Sequence, residues 1–440
     1  MQNTNLWQIA VTVILYSVSA VTAMAEWNSH AVRQLNGTSP EIRIPAKFQI
    51  VTESWNRVVA VPYIVYMPEK DRLLMLVSCD YPHQAMVLSS DDHGEHWTKP
   101  SYVHVDDKGK PDTGMGVSLT YLGKGNVTLV AGKRWFSGDY GATWKDSIPV
   151  EPMPNKKPWN TWDPMLVERD AATGTVVRLF ETGYDVDWPA YQAAKGADYS
   201  FAHLRTSTDA GRHWSQAVQV PQWRGVSEVA LLRAANGDLV AACRTDIPPK
   251  FKGQTLDHYE GLAVSISKDG GRSWSTLNKL YDWGRHHPAM LLMPNGDILM
   301  TYVVRLGYVD AKDGTPQFGV EAVVSHDNGA TWDLDHRYIL HFWKGNRKDE
   351  NAWWASSQCT SPVLLPDGSV LTAFGTGYRV APKPAVPNQP APRDIGLVLW
   401  RFGGAISDTD RTIRNAPKDS DVRNLFDPST GKPATSQQHR

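Results

Sequence analysis

The chain has 440 residues, with 45 Lys and Arg against 46 Asp and Glu and a formal net charge of −1. That length holds one large β-domain or two ordinary ones, and the near-cancelling charge excludes a basic surface for nucleic acid. Cys79, Cys243 and Cys359 are too few and too far apart for a disulfide framework or a Cys-x-x-Cys zinc site, so buried free thiols are expected.

Residues 1–25 read as an export signal. Leu6 to Ala23 is apolar and Ala23-Met24-Ala25 fits the small-x-small cleavage rule. The leading Met-Gln-Asn-Thr-Asn carries no Lys or Arg, so an uncleaved anchor remains the alternative. Either way the expected location is secreted or periplasmic, with no membrane span in the mature chain. Residues 26–54 form an N-terminal extension.

From residue 55 the sequence turns into hairpins. The first runs Val61–Leu76, the second Gly116–Val130, and the third Asp163–Phe180 through Ala171-Ala-Thr-Gly174. The fourth, Glu228–Arg244, turns at Asn236-Gly237; the fifth, His287–Arg305, turns at Asn295-Gly296; the sixth, Thr360–Gly375, turns at Asp367-Gly368. Asn-Gly or Asp-Gly between apolar alternating runs is a strong hairpin signal.

A Ser-x-Asp-x-Gly-x-x-Trp motif follows each of the first five hairpins. The copies are Ser90-Asp92-Gly94-Trp97, Ser137-Asp139-Gly141-Trp144, Ser207-Asp209-Gly211-Trp214, Ser267-Asp269-Gly271-Trp274 and Ser325-Asp327-Gly329-Trp332. Asp bonds nearby backbone N–H groups, Gly accepts positive φ, and the Trp folds back over the turn. Repetition at this spacing indicates an array of β-units. The expected fold is all-β, a six-bladed β-propeller of four-stranded antiparallel blades over residues 55–403. Asp394–Phe402 closes the ring with help from N-terminal residues, the proline-rich 380–393 is a loop, and the polar tail 404–440 is disordered.

In such a ring the first strand of each blade lines the central channel. The residues just before each hairpin are therefore site candidates: Trp162-Asp163-Pro164, Ser227-Glu228, His286-His287-Pro288 and Gln358-Cys359-Thr360. They bring an Asp, a Glu and two His toward one axis. No His-x-x-x-His and no calcium loop suggests a metal, and no cofactor is expected.

The repeated motif resembles the Asp-box (BNR repeat) of the sialidase (neuraminidase) superfamily, over roughly residues 55–402. The resemblance implies that the boxes are structural turns on the face away from the active site. Ser227-Glu228 followed by Asn236-Gly-Asp and Arg244 is similar to the family's Ser-Glu…Asp-Gly…Arg segment. It implies Glu228 as an activating carboxylate, and Arg244 and Arg305 as arginines that grip a substrate carboxylate.

The chain also departs from the family pattern. Arg43-Ile44-Pro45 has the letters of the first-arginine motif but lies 47 residues before Ser90, and we read it as a decoy. The family's Tyr nucleophile is replaced by Gln358-Cys359-Thr360, and Tyr378 lies at the wrong end of its hairpin. For the acid/base Asp, both Asp80 and Asp163 come into question. His287-Pro288 is similar to exported bacterial sialidase-like repeat proteins.

Three readings follow. The first is an exo-acting, sialidase-type glycoside hydrolase releasing a terminal acidic sugar. Its catalytic residues would be Glu228, Asp163 and His287, with Arg244, Arg305 and His286 binding substrate. The second is another glycan-processing propeller enzyme, for uronic-acid or arabinose polysaccharide, with His286 or His287 as acid/base. The third is a non-catalytic glycan-binding propeller, favoured if tryptophans such as Trp162, Trp353 and Trp354 fill the axial pocket.

Overall fold

The computed structural model describes residues 26–193, 198–251, 257–306, 318–343, 358–378 and 392–401. The signal segment 1–25, the proline-rich stretch up to residue 391, Trp353, Trp354 and the tail 404–440 lie outside the described residues. Among the described residues the fold is all-β and propeller-like; its one α-helix is the short Trp188–Gln192.

Four sheets are separate four-stranded antiparallel meanders. They comprise Val59–Met67 through Ser101–Tyr102, Val117–Gly123 through Asp146–Ile148, Leu166–Arg169 through Val218–Arg224, and Val226–Arg233 through Asn278–Tyr281. A fifth sheet has nine strands and holds two more such runs. One is Arg285–Leu292 to Tyr338–Trp343. In the other, Thr360–Leu364, Ser369–Tyr378 and Arg393–Arg401 are completed by Ser39–Ile50 from the N-terminus. Asn28–Asn36 joins the two runs by pairing with Ser39–Ile50 on one side and Tyr338–Trp343 on the other. The strands of residues 28–50 thus lie in the middle of this sheet, farthest from its two channel-lining edge strands.

The ring closes between the last run and the first. Val58 bridges Arg393, and Val51, Val59, Leu73, Leu371 and Ile395 share one buried cluster. All six first strands line a central cavity of about 660 Å³, with Ile64, Leu119, Leu166, Leu231, Met290 and Val363 among its walls.

The five boxes have one geometry. In each, the Ser hydroxyl donates to the Asp carboxylate at 2.7–2.9 Å and accepts from the Gly N–H at 2.8–3.0 Å. The carboxylate then accepts an N–H four residues on, as from Thr331 to Asp327 at 2.8 Å. These bonds hold the Asp carboxyls below their ordinary range, Asp209 and Asp269 at about 2. The glycines need φ of +81 to +95°, which only Gly adopts without strain. Trp144 and Trp332 donate their indole N–H to the turn glycine's carbonyl.

Candidate functional site

The boxes and the candidate site occupy opposite ends of the same strands. In the fourth sheet Leu239 pairs with Ser267 of a box, whereas Arg244 pairs with Leu262. Five residues of strand put Arg244 roughly 17 Å from the box end.

At that far end four first strands carry a β-bulge at the same level. The extra residues are Val61-Pro62, Ser118-Leu119, Ser227-Glu228 and His287-Pro288, each pair facing a single partner residue. Val61, Ser118 and His287 have φ of +53, +58 and +51°, unusual for residues with a Cβ. A bulge bends its strand and re-aims side chains. Here the bulges set Glu228 and His287 into one polar ring above the apolar channel.

Glu228 and His287 meet directly. Glu228 Oε2 lies 2.6 Å from His287 Nδ1, and His287 Nε2 lies 2.6 Å from Arg244 Nη1. A guanidinium only donates, so Nε2 is the acceptor and Nδ1 carries the proton given to Glu228. Arg244 Nη1 also donates to both Glu228 oxygens at 2.9 Å, and its Nε donates to Glu260. Behind it Tyr199 donates its hydroxyl to Glu260 at 3.1 Å, and Asp246 accepts the Tyr199 and Ser200 N–H groups at 2.6 and 2.8 Å. Burial opposes the Glu228 charge, but Arg244 and then His287 outweigh it and hold the carboxyl at about 2. Burial, against the pull of Glu228, lowers the His287 imidazole to about 4. At neutral pH the pair is a carboxylate and a neutral imidazole.

Asp163 is the opposite case. Burial and then the Glu228 charge push its carboxyl well above the ordinary range, while the Val229 N–H pulls weakly the other way. Its side chain is only half-buried, yet Oδ2 is enclosed and has no hydrogen-bond partner. A carboxyl pushed toward its neutral form thus sits within the field of an ionised one.

His286 is fully buried beside His287, with ring centroids 4.9 Å apart and neither ring nitrogen hydrogen-bonded. Burial, then Arg244 and Arg305, drive its pKa well down. A neutral imidazole so enclosed is poorly placed to touch substrate. Arg305 is buried and donates to the Gln358 carbonyl at 3.2 Å. Trp162 lies 5.9 Å from the His287 ring.

The other sequence candidates lie elsewhere. Arg43 is on the strand Ser39–Ile50, 3.6 Å from Glu41, far from the ring. Asp80 is held by Arg57 through three guanidinium contacts, including Nε at 3.1 Å.

Sequence reasoning missed Tyr63, Tyr184, Glu260 and Arg393. Burial and then the Cys359, Asp163 and Glu228 charges keep the Tyr63 phenol protonated far above its usual range. Tyr184 is likewise raised by burial and Glu228. Arg393 is fully buried, donates Nε to the Thr376 carbonyl at 2.6 Å, and together with Arg305 eases the rise that burial imposes on the Cys359 thiol. The Val61-Pro62 bulge before Tyr63 has no sequence signature, and Glu260 precedes the third strand of its sheet, a place the search of first-strand starts does not reach.

Among the described residues no three His, Cys, Asp or Glu group so as to hold a metal, and no helix is long and apolar enough to cross a membrane. A family model described as BNR repeat-like domain matches residues 133–375. No curated protein matches the chain. Among solved structures, a protein of unknown function from Dyadobacter fermentans DSM 18053 superposes with a TM-score of 0.58 at 17% identity, covering 81% of this chain and 98% of its own. Penicillium chrysogenum α-L-arabinanase complexed with arabinobiose gives 0.46 at 12%, covering 84% and 98%. Trypanosoma rangeli sialidase gives 0.46 at 13%, covering 83% and 57%. At these identities the likeness is one of fold.

Proposed function

Because the chain belongs to the BNR repeat-like domain family, we propose that it is an exported glycoside hydrolase, of sialidase type, that releases a terminal acidic sugar at the bulged end of a six-bladed propeller. The blade count rests on reading the nine-stranded sheet as two blades zipped together by Asn28–Asn36. Export rests on the apolar Leu6–Ala23 followed by Ala23-Met24-Ala25.

The observation that carries the reading is the pairing of a protonated Asp163 with an ionised Glu228 at the starts of neighbouring first strands. Two carboxyls whose surroundings push their pKa values apart are suited to acid and base roles. Asp163 gives its proton to the leaving glycosidic oxygen as that bond breaks. Glu228, oriented by Arg244 and neutral His287, takes the proton of the attacking water as the new C–O bond forms. Tyr63 and Tyr184 stay protonated, which argues against a phenolate nucleophile. The guanidinium groups of Arg305 and Arg393, both close enough to act on Cys359, suit a substrate carboxylate. Arg244 spends Nη1 and Nε on Glu228, His287 and Glu260, so its role here is to orient the base rather than to grip the sugar.

The neutral His287 bonded to Glu228 also favours a second reading, in which the acidic sugar is a uronic acid within a polysaccharide. Both readings are tested by one panel: a fluorogenic sialoside, a glucuronide and an arabinofuranoside, with Asp163→Asn and Glu228→Gln alongside the unmodified chain. Turnover of an acidic glycoside that falls at least about a hundredfold in both variants supports the proposal, and the glycoside hydrolysed selects between sialic and uronic acid. Turnover of the arabinofuranoside alone removes the acidic-sugar assignment. No turnover, with calorimetric binding of an acidic glycan, makes the protein a glycan-binding propeller.

A further inference from the structure

Ser118 was no part of the site as read from sequence, yet it occupies the bulge of the second sheet at the level where the fourth carries Glu228 and the fifth His287. It is fully buried, and its φ of +58° is a left-handed conformation that strains a residue with a Cβ. Such strain persists where the surroundings impose it, often at functional positions. Its hydroxyl is enclosed and has no hydrogen-bond partner. A serine kept strained, buried and unbonded is an expensive way to fill a position where Ala or Gly would serve.

Two contacts set it beside Asp163. The Ser118 N–H donates to the Trp162 carbonyl at 3.1 Å, and two residues on from Ser118 and three on from Trp162 the Met165 N–H donates to the Thr120 hydroxyl at 2.9 Å. Residues 118–120 therefore run alongside 162–165, with Asp163 held between the two anchors. Asp163 Oδ2 and Thr161 Oγ1 are also buried without a partner. Three unsatisfied oxygens thus lie where the strand Val117–Gly123 meets the segment leading into Leu166–Arg169. Buried polar atoms are almost always satisfied, and a bound water needs two to four polar partners.

We infer that Ser118 is a positioning residue for the acid: its hydroxyl and Asp163 Oδ2 bind one water between them, with Thr161 as a third partner. The water donates to Asp163 Oδ2 and to Ser118 Oγ and accepts from the Thr161 hydroxyl, which leaves the acid's proton on Oδ1, where the leaving oxygen can take it. When Asp163 gives up that proton, the water's hydrogen bond to Oδ2 holds the new carboxylate in place. This rests on the acid role given to Asp163 above.

The test separates the two claims. The infrared difference between the unmodified chain and Asp163→Asn isolates the C=O band of the protonated carboxyl, with no substrate present. Ser118→Gly removes the hydroxyl and accepts the positive φ, so it keeps the fold; Ser118→Ala removes the hydroxyl alone. Both are expected to move that band to higher wavenumber, as a carboxyl losing a hydrogen bond does. Both should lower kcat roughly tenfold on whichever glycoside is hydrolysed, with KM unchanged, the worth of about one hydrogen bond. A band unmoved in both folded variants, or absent from the unmodified chain, overturns the inference. A band that moves while no glycoside is hydrolysed sustains it and removes the hydrolase reading instead.

Discussion

Glu228 Oε2 and His287 Nδ1 lie 2.6 Å apart although the two residues come from different sheets, and each owes its place to a bulge at the start of its first strand. The contact orients the carboxylate rather than adding a second base: Glu228 fixes the imidazole tautomer, and Arg244 occupies the other ring nitrogen. With His287 titrating at about 4 and Glu228 at about 2, the base keeps its working form across the neutral range. Hydrolysis should hold steady as pH falls from 7 to 5 and drop through about 4. His287→Gln should lower kcat and displace that limb, read from the pH profile of initial rates.

Asp163 works against stability at high pH. Its folded pKa is raised above the unfolded value of 3.8, so the contribution of the neutral acid is full below that value and is lost as pH rises through the folded pKa. Asp163→Asn keeps the shape and cannot ionise. It should melt higher than the unmodified chain at pH 8, with the difference vanishing at pH 4, as followed by thermal unfolding. Glu228 runs the other way. Its folded pKa of about 2 lies below the ordinary 4.5, so its contribution is full above 4.5 and fades as pH falls toward 2.

Glu181 is a structural counterpart to Glu228. It is buried between two arginines: Arg205 donates Nε and Nη2 at 2.8 and 2.6 Å, and Arg134 donates from the neighbouring sheet. Arg205 also lies over the Trp159 ring at 4.0 Å and the Trp214 ring at 4.7 Å. Glu181→Gln leaves two buried guanidiniums without a counter-charge. We expect it to cost roughly 3–5 kcal/mol in chemical denaturation, far more than a surface carboxylate.

Two turn glycines, Gly329 of a box and Gly296 of a hairpin, make a graded prediction. A Cβ at Gly329, at φ +90°, would come within 2.8 Å of Val240 Cγ2, whereas one at Gly296, at φ +89°, would meet only Ala235 Cβ at 3.6 Å. Gly296→Ala should cost about 1–2 kcal/mol, from the backbone alone. Gly329→Ala adds overpacking and should cost about 1–3 kcal/mol more. Urea midpoints of the two variants decide it, and neither should alter glycan binding.

The thiols should be silent. Cys79, Cys243 and Cys359 are free and buried, and burial raises all three, Cys79 to about 12. A thiol reagent at pH 8 should label none in the native chain and all three in urea. Fast native labelling of Cys359 would mean that the ring around it opens.

What the sequence by itself determined is the repeat. Asn-Gly, Asp-Gly and the Ser-x-Asp-x-Gly-x-x-Trp turns are local devices, built from atoms within about five residues of each other, so they can be read without knowing what packs against them. Glu228, Asp163 and His287 were reachable by extension, because equivalent places in successive repeats must face one axis. Tertiary structure alone decided the rest. Arg244 has the sequence position of a substrate-gripping arginine, but Glu260 and Glu228, each sixteen residues away along the chain, turn it into a partner of the base. Asp163 and Glu228 are both carboxyls near the starts of first strands, and only their unequal neighbours push one pKa up and the other down. Ser118 has no motif at all, since a bulge is a mismatch between two strands and neither strand's sequence records it. Ionisation and bulge register are properties of what surrounds a residue, and in this ring those surroundings come from neighbouring strands.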